Sequence, residues 1–88
     1  MAELSLAGSV HTAAYTHLLS ELVEARKRAG LSQAQVAHKI GKPASFVGKY
    51  ELGERRLDVI ELLIVLKSVN ADGTSFISDL AAIVPDQL

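Results

Sequence analysis

Residues 31–53 read LSQAQVAHKIGKPASFVGKYELG, and the order of polar, apolar and glycine positions within them decides the fold. Ser32 followed by Gln35 is a capping box: the hydroxyl accepts from an orphan amide and the Gln side chain reaches back, so a helix starts at Gln33. Val36, Ala37 and Ile40 then form an apolar stripe at helical spacing. Ala37 falls where a second helix must approach, and a larger side chain there would separate axes that pack about 8–10 Å apart. Gly41 follows the stripe, suited to a left-handed C-cap, and Pro43 cannot continue the first helix but can open the next. In that next helix Val47 and Tyr50 share the inner face, Ser45, Phe46 and Lys49 point the other way, and Gly53 stops it. Two short helices joined by a tight glycine turn make a helix-turn-helix.

The flanks read as supporting helices. A first helix is expected from His11 or Thr12 to Ala29, with Leu18, Leu22, Ala25 and Ala29 inward and a basic C-terminal end that complements the helix dipole. Asp58 with Glu61 forms another N-terminal capping pair, opening a helix to about Val69 that is apolar on nearly every side: Val59, Ile60, Leu62, Leu63, Ile64, Val65 and Leu66. Such a helix needs cover all round. The core takes one side, and a last helix over about 73–84, with Phe76, Ile77, Leu80 and Ile83 at helical spacing, takes most of the remainder. Anything left over is open to a second copy. Pro85 ends the last helix. The expectation is therefore one all-α, five-helix domain over residues 11–84, a flexible segment over 1–10 and a short tail over 85–88.

Length and composition agree with this reading. A chain of 88 residues is one domain whose folding buries about 60–65% of the unfolded surface, and 49% hydrophobic residues suffice for a core. Cysteine is absent, which excludes disulfides and thiolate metal sites. No apolar run is longer than Leu62 to Leu66, which is far short of the roughly 20 residues of a membrane span. No Lys or Arg precedes Arg26, so no signal-peptide n-region is expected and a cytoplasmic protein is.

The net charge of −1 hides a segregation. Residues 21–56 carry eight bases (Arg26, Lys27, Arg28, Lys39, Lys42, Lys49, Arg55, Arg56) against four acids, a balance of +4, whereas residues 57–88 carry Lys67 alone against five acids, a balance of −4. A basic half that coincides with the helix-turn-helix predicts one face for phosphates and another kept off the nucleic acid.

The stretch resembles the lambda-repressor-like, or Cro/CI-type, DNA-binding family, also called the xenobiotic-response-element family. Arg26, Gly30, Leu31, Ser32, Gln33, Ala37, Gly41, Val47, Tyr50, Glu51 and Gly53 carry the match, together with GERRLD at 53–58, and it covers roughly residues 12–80. The resemblance implies five helices, the third lying in the major groove, and a homodimer on a two-fold double-stranded DNA operator. Lys49 resembles the family's base-edge reader, and a lysine can donate to guanine O6 and N7. Ala44 and Ser45 stand at the end of the helix that enters the groove, where Ala44 replaces the larger polar residue of many relatives but can still touch a thymine methyl. Phe46 completes the expected base-reading set, with two uses open to it: packing on a thymine methyl, or folding back against the neighbouring helix. By resemblance Gln33 touches a phosphate while steadying a reader, and Arg26 with Glu51 forms a structural salt bridge. Lys42 in the turn and Arg55 and Arg56 in the following loop are the expected phosphate clamps, which position without specifying.

An enzyme is not expected, and no metal or cofactor is implied. His11, His17 and His38 lack ligand spacing, and no phosphate loop or nucleophile motif occurs. The competing reading is an antitoxin or adaptor of the same fold that binds a protein partner, a toxin or another regulator, through the apolar helix at 59–66. Transcriptional regulation, with repression as the output, is the expectation.

Overall fold

The computed structural model describes residues 12–88; the segment 1–10 and His11 lie outside the described residues. Among the described residues five helices follow in order: α1 Ala13–Arg28, α2 Gln33–Ile40, α3 Ala44–Glu51, α4 Val59–Ser68 and α5 Gly73–Ala81. Local chemistry sets their starts. Thr12 Oγ1 accepts from the Tyr15 amide at 3.1 Å. Ser32 with Gln35, and Asp58 with Glu61, form complete capping boxes, and Asp72 accepts from the Thr74 and Ser75 amides. Pro43 opens α3 without a side-chain cap.

Four of the helix ends, those of α1 to α4, share one device. After α2 the chain enters the left-handed region at Gly41, φ +75°, and the Lys42 amide turns back to the Ala37 carbonyl at 2.9 Å. Asn70 repeats this after α4 with φ +58°, the Ala71 amide reaching the Leu66 carbonyl at 3.0 Å. No atom lies within 4 Å of where a Cβ on Gly41 would stand, so Gly41→Ala costs backbone strain alone. We expect it to lower unfolding free energy by about 1–2 kcal/mol, read in urea denaturation, with helix content unchanged.

The core is built from one face of each of four helices. Tyr15, Leu18, Leu19, Leu22 and Ala25 of α1 meet Val36 and Ala37 of α2, Val47 and Tyr50 of α3, and Leu62, Val65 and Leu66 of α4. Val36 and Val47 are wholly inaccessible and Ala37 is 1% exposed, so α2 and α3 are locked where they face each other. Each fully buried Val or Leu side chain contributes about 1.5–3 kcal/mol relative to exposure.

Three expectations are corrected. Ala29 caps α1 where the chain turns away, and is exposed rather than inward. α5 stops at Ala81, short of Val84, because the residue before Pro85 is disfavoured in the helical region and the last turn has no buried side chain to hold it. α4 is covered on one side only. Phe76, Ile77 and Leu80 of α5 pack against the core half-buried, leaving Val59, Ile60, Leu63 and Ile64 in solvent. Among the described residues, no helix is long and apolar enough to cross a membrane, and no group of three or more His, Cys, Asp or Glu is placed to hold a metal ion.

Candidate nucleic-acid interface

Burying Val47 and Tyr50 turns the opposite side of α3 outward, and Ala44, Ser45 and Lys49 are exposed there. The inner anchor is secure: burial pushes the Tyr50 phenol well above its ordinary pKa, so the ring stays neutral.

A polar junction holds α3 against the two preceding helices. Arg26 of α1 grips Glu51 as a fork, Nε donating to Oε2 at 2.7 Å and Nη2 to Oε1 at 3.2 Å, while Nη1 donates to the Leu31 carbonyl at 3.0 Å. Gln33 Nε2, at the start of α2, donates to Glu51 Oε1 at 2.8 Å. The side chains of the Arg26–Glu51 pair are 13% and 6% exposed. The hydrogen bond to Glu51, stronger than the opposing burial, holds the Arg26 guanidinium above its ordinary pKa. Gln33 thus steadies the C-terminal end of α3, and its Oε1 lies 3.6 Å from where a Gly48 Cβ would stand, an ordinary contact.

The rim of this face is cationic. Lys42 comes from the turn before α3, and Arg55 and Arg56 come from the loop after it. Both arginines have partners within the protein. Arg55 pairs with Glu61 through two hydrogen bonds of 2.9 and 2.8 Å and donates to the Arg56 carbonyl at 2.7 Å. The Arg56 guanidinium stacks 4.3 Å above the Tyr15 ring of α1, whose hydroxyl accepts from the Leu57 amide at 3.3 Å.

Phe46 does not project from the outer face with Ser45 and Lys49. Its ring is half-buried and meets Tyr50 edge-on, with centroids 5.8 Å apart and planes at 74°. Arg55 stands 4.7 Å and Lys42 5.5 Å from its centroid. Desolvating a ring against Tyr50 while presenting its π-face to two cations is the more favourable use of an aromatic at this position. Phe46 therefore joins the turn before α3 to the loop after it. Glu61 and Tyr15, which organise the arginines, were not singled out in sequence for that task. Glu61 shows only as a capping residue, and Tyr15 lies 41 positions from Arg56.

The Arg55 hydrogen bonds, followed by the Asp58 backbone amide, bring the Glu61 carboxyl from about 4.5 down to about 2. A carboxyl whose pKa falls on folding stabilises the fold above its unfolded pKa and loses that contribution on protonation. We expect the Arg55–Glu61 contribution to be complete above pH 4.5 and to disappear as the pH falls toward 2. Urea unfolding across that window should show a shallower acid limb for Glu61→Gln than for the parent.

The comparisons agree with this geometry. A helix-turn-helix family model matches residues 22–70, from the second half of α1 to the end of α4. The solved structure of an XRE-family like protein from Pseudomonas syringae pv. tomato str. DC3000 superposes with a TM-score of 0.80 at 42% identity, covering 90% of this chain and 96% of that one. No curated protein matches the chain in sequence.

Proposed function

The chain belongs to the XRE family of helix-turn-helix DNA-binding regulators, and from that membership we propose that it is a sequence-specific, non-enzymatic repressor that reads the major groove with α3. The observation that carries this reading is the outward side of α3, where Ala44, Ser45 and Lys49 stand exposed between the cations of the preceding turn and the following loop. Lys49 donates to a guanine edge, and Ala44 and Ser45 meet bases at the end of α3 that enters the groove. Phe46 holds the rim cations in place beside them. Gln33, Lys42, Arg55 and Arg56 take the flanking phosphates, with Arg26 and Glu51 fixing the angle of α3.

Two copies bind a two-fold operator whose half-site centres lie about 34 Å apart, one duplex turn. Repression needs only occupancy of a promoter, because a seated protein excludes the polymerase sterically. The cytoplasm is the compartment that this role requires.

Selection on randomised duplexes tests the proposal: it should return an inverted repeat with that spacing, and recovery of no sequence preference would contradict it. Arg56→Ala should weaken binding to all sequences alike and reduce the slope of log affinity against log salt by about one unit for each phosphate that the arginine neutralises.

A further inference from the structure

A carboxylate sits among the cations that flank the reading side of α3. Glu61 takes Nη1 of Arg55 on Oε1 at 2.9 Å and Nη2 on Oε2 at 2.8 Å, and its Oε1 also accepts from the Asp58 amide at 3.0 Å. The other N–H of Nη1 goes to the Arg56 carbonyl at 2.7 Å. Nε–H and the second N–H of Nη2 then remain without an acceptor among the described residues, and they form one edge of the planar guanidinium. Arg26 uses that same edge to grip Glu51. The plane of Arg55 is fixed too, because its guanidinium carbon lies 4.7 Å from the centroid of the Phe46 ring. With side chains 41% and 25% exposed, the Arg55–Glu61 pair is within reach of a ligand.

We propose that Glu61 is a specificity-determining residue: it cancels the charge of Arg55 toward loosely held DNA, and it aims the remaining edge of the guanidinium at one phosphate of a correctly seated duplex. The two effects belong to different modes of binding. Sequence-independent binding rests on net charge and counterion release, so a cation already matched by a carboxylate adds little to it. Seated binding adds hydrogen bonds of fixed geometry, and a fork held by Phe46, Glu61 and the Arg56 carbonyl loses little freedom in donating two of them to a phosphate. Glu61 therefore subtracts from binding to arbitrary DNA and supports binding to the right site. Its carboxyl, brought down to about 2, stays ionised in both modes.

This role rests on the proposed DNA reading and deepens it. Affinity of the full chain for a random-sequence duplex and for one carrying the selected site, each measured across a salt series, tests it. Glu61→Gln removes the charge but keeps the helix cap, since Gln35 performs the same task at the start of α2. The variant should bind the random duplex several-fold more tightly at low salt, with the slope of log affinity against log salt steeper by about one unit per bound copy. It should gain less at the selected site, so discrimination falls. Arg55→Ala combined with Glu61→Gln removes both charges, and should match the parent on the random duplex yet bind the selected site several-fold less tightly. A residue that served folding alone would produce neither pattern, because partial unfolding lowers both affinities by the same factor. Random-duplex affinity and slope unchanged in Glu61→Gln, or equal losses on the two duplexes in the double variant, overturn the role of Glu61. If the parent still discriminates between the duplexes in that case, the DNA reading stands without it. A parent that binds neither duplex defeats both.

Discussion

Arg26→Ala is expected to lower the unfolding free energy by about 2–3 kcal/mol and the melting temperature by roughly 10–20 °C. Removing one partner of a fully buried ion pair costs about 3–5 kcal/mol, because the remaining charge is desolvated without compensation. Here the Glu51 side chain is 6% exposed and, among the described residues, keeps Gln33 alone as a donor once Arg26 is gone, while the 13% exposure of the arginine side chain reduces the cost below the fully buried case. The Leu31 carbonyl loses its donor as well. A double variant, Arg26→Ala with Glu51→Ala, should recover part of the loss, since no charge is then stranded. Arg26→Lys should fall between, because an ammonium cannot form the two-pronged contact. Thermal unfolding of the parent, these three variants and Glu51→Ala alone checks the series, and additive losses in the double variant would contradict the account of the junction.

The second large effect is on recognition. Lys49→Ala should cost about 1–3 kcal/mol at the preferred site, roughly 5- to 150-fold in affinity, concentrated at one base pair in each half-site. Lys49 is exposed and distant from the buried face of α3, so the variant should melt with the parent. The pattern across sequences separates a base reader from a phosphate clamp. Removing a reader relaxes preference at its own position, whereas removing a clamp lowers every affinity and leaves the preference intact. An unchanged selected motif for Lys49→Ala would contradict the base-reading assignment.

The elements legible in sequence are those set by chemistry within four residues. The Ser32–Gln35 and Asp58–Glu61 boxes mark helix starts, Gly41 marks a stop, and Val36, Ala37, Val47 and Tyr50 are buried at the spacing that predicts it. Placement of Lys49 on the outer side of α3 follows from the same phase. Less legible is whatever depends on a partner distant along the chain. Phe46 has two neighbours in phase with either face, and its choice of Tyr50 is settled by cations from the turn and the loop that periodicity does not reveal. The clamp arginines show the same limit, since a charge count assigns them to phosphate without showing that Glu61 and Tyr15 orient them first. For α4, sequence indicates the demand for cover on every side but not the supply. α5 is short and half-buried, and Val59, Ile60, Leu63 and Ile64 of α4 stay exposed.

The central claim is that the outward side of α3 enters the major groove. Titrating the ¹⁵N-labelled protein with a duplex carrying the selected site, and following the backbone amides, tests it most directly. The account predicts the largest shifts from Ala44 to Leu52, with smaller ones at Gln33, Lys42 and Arg55. Spectra left untouched by the duplex, or changes confined to α1 and α5, would contradict it.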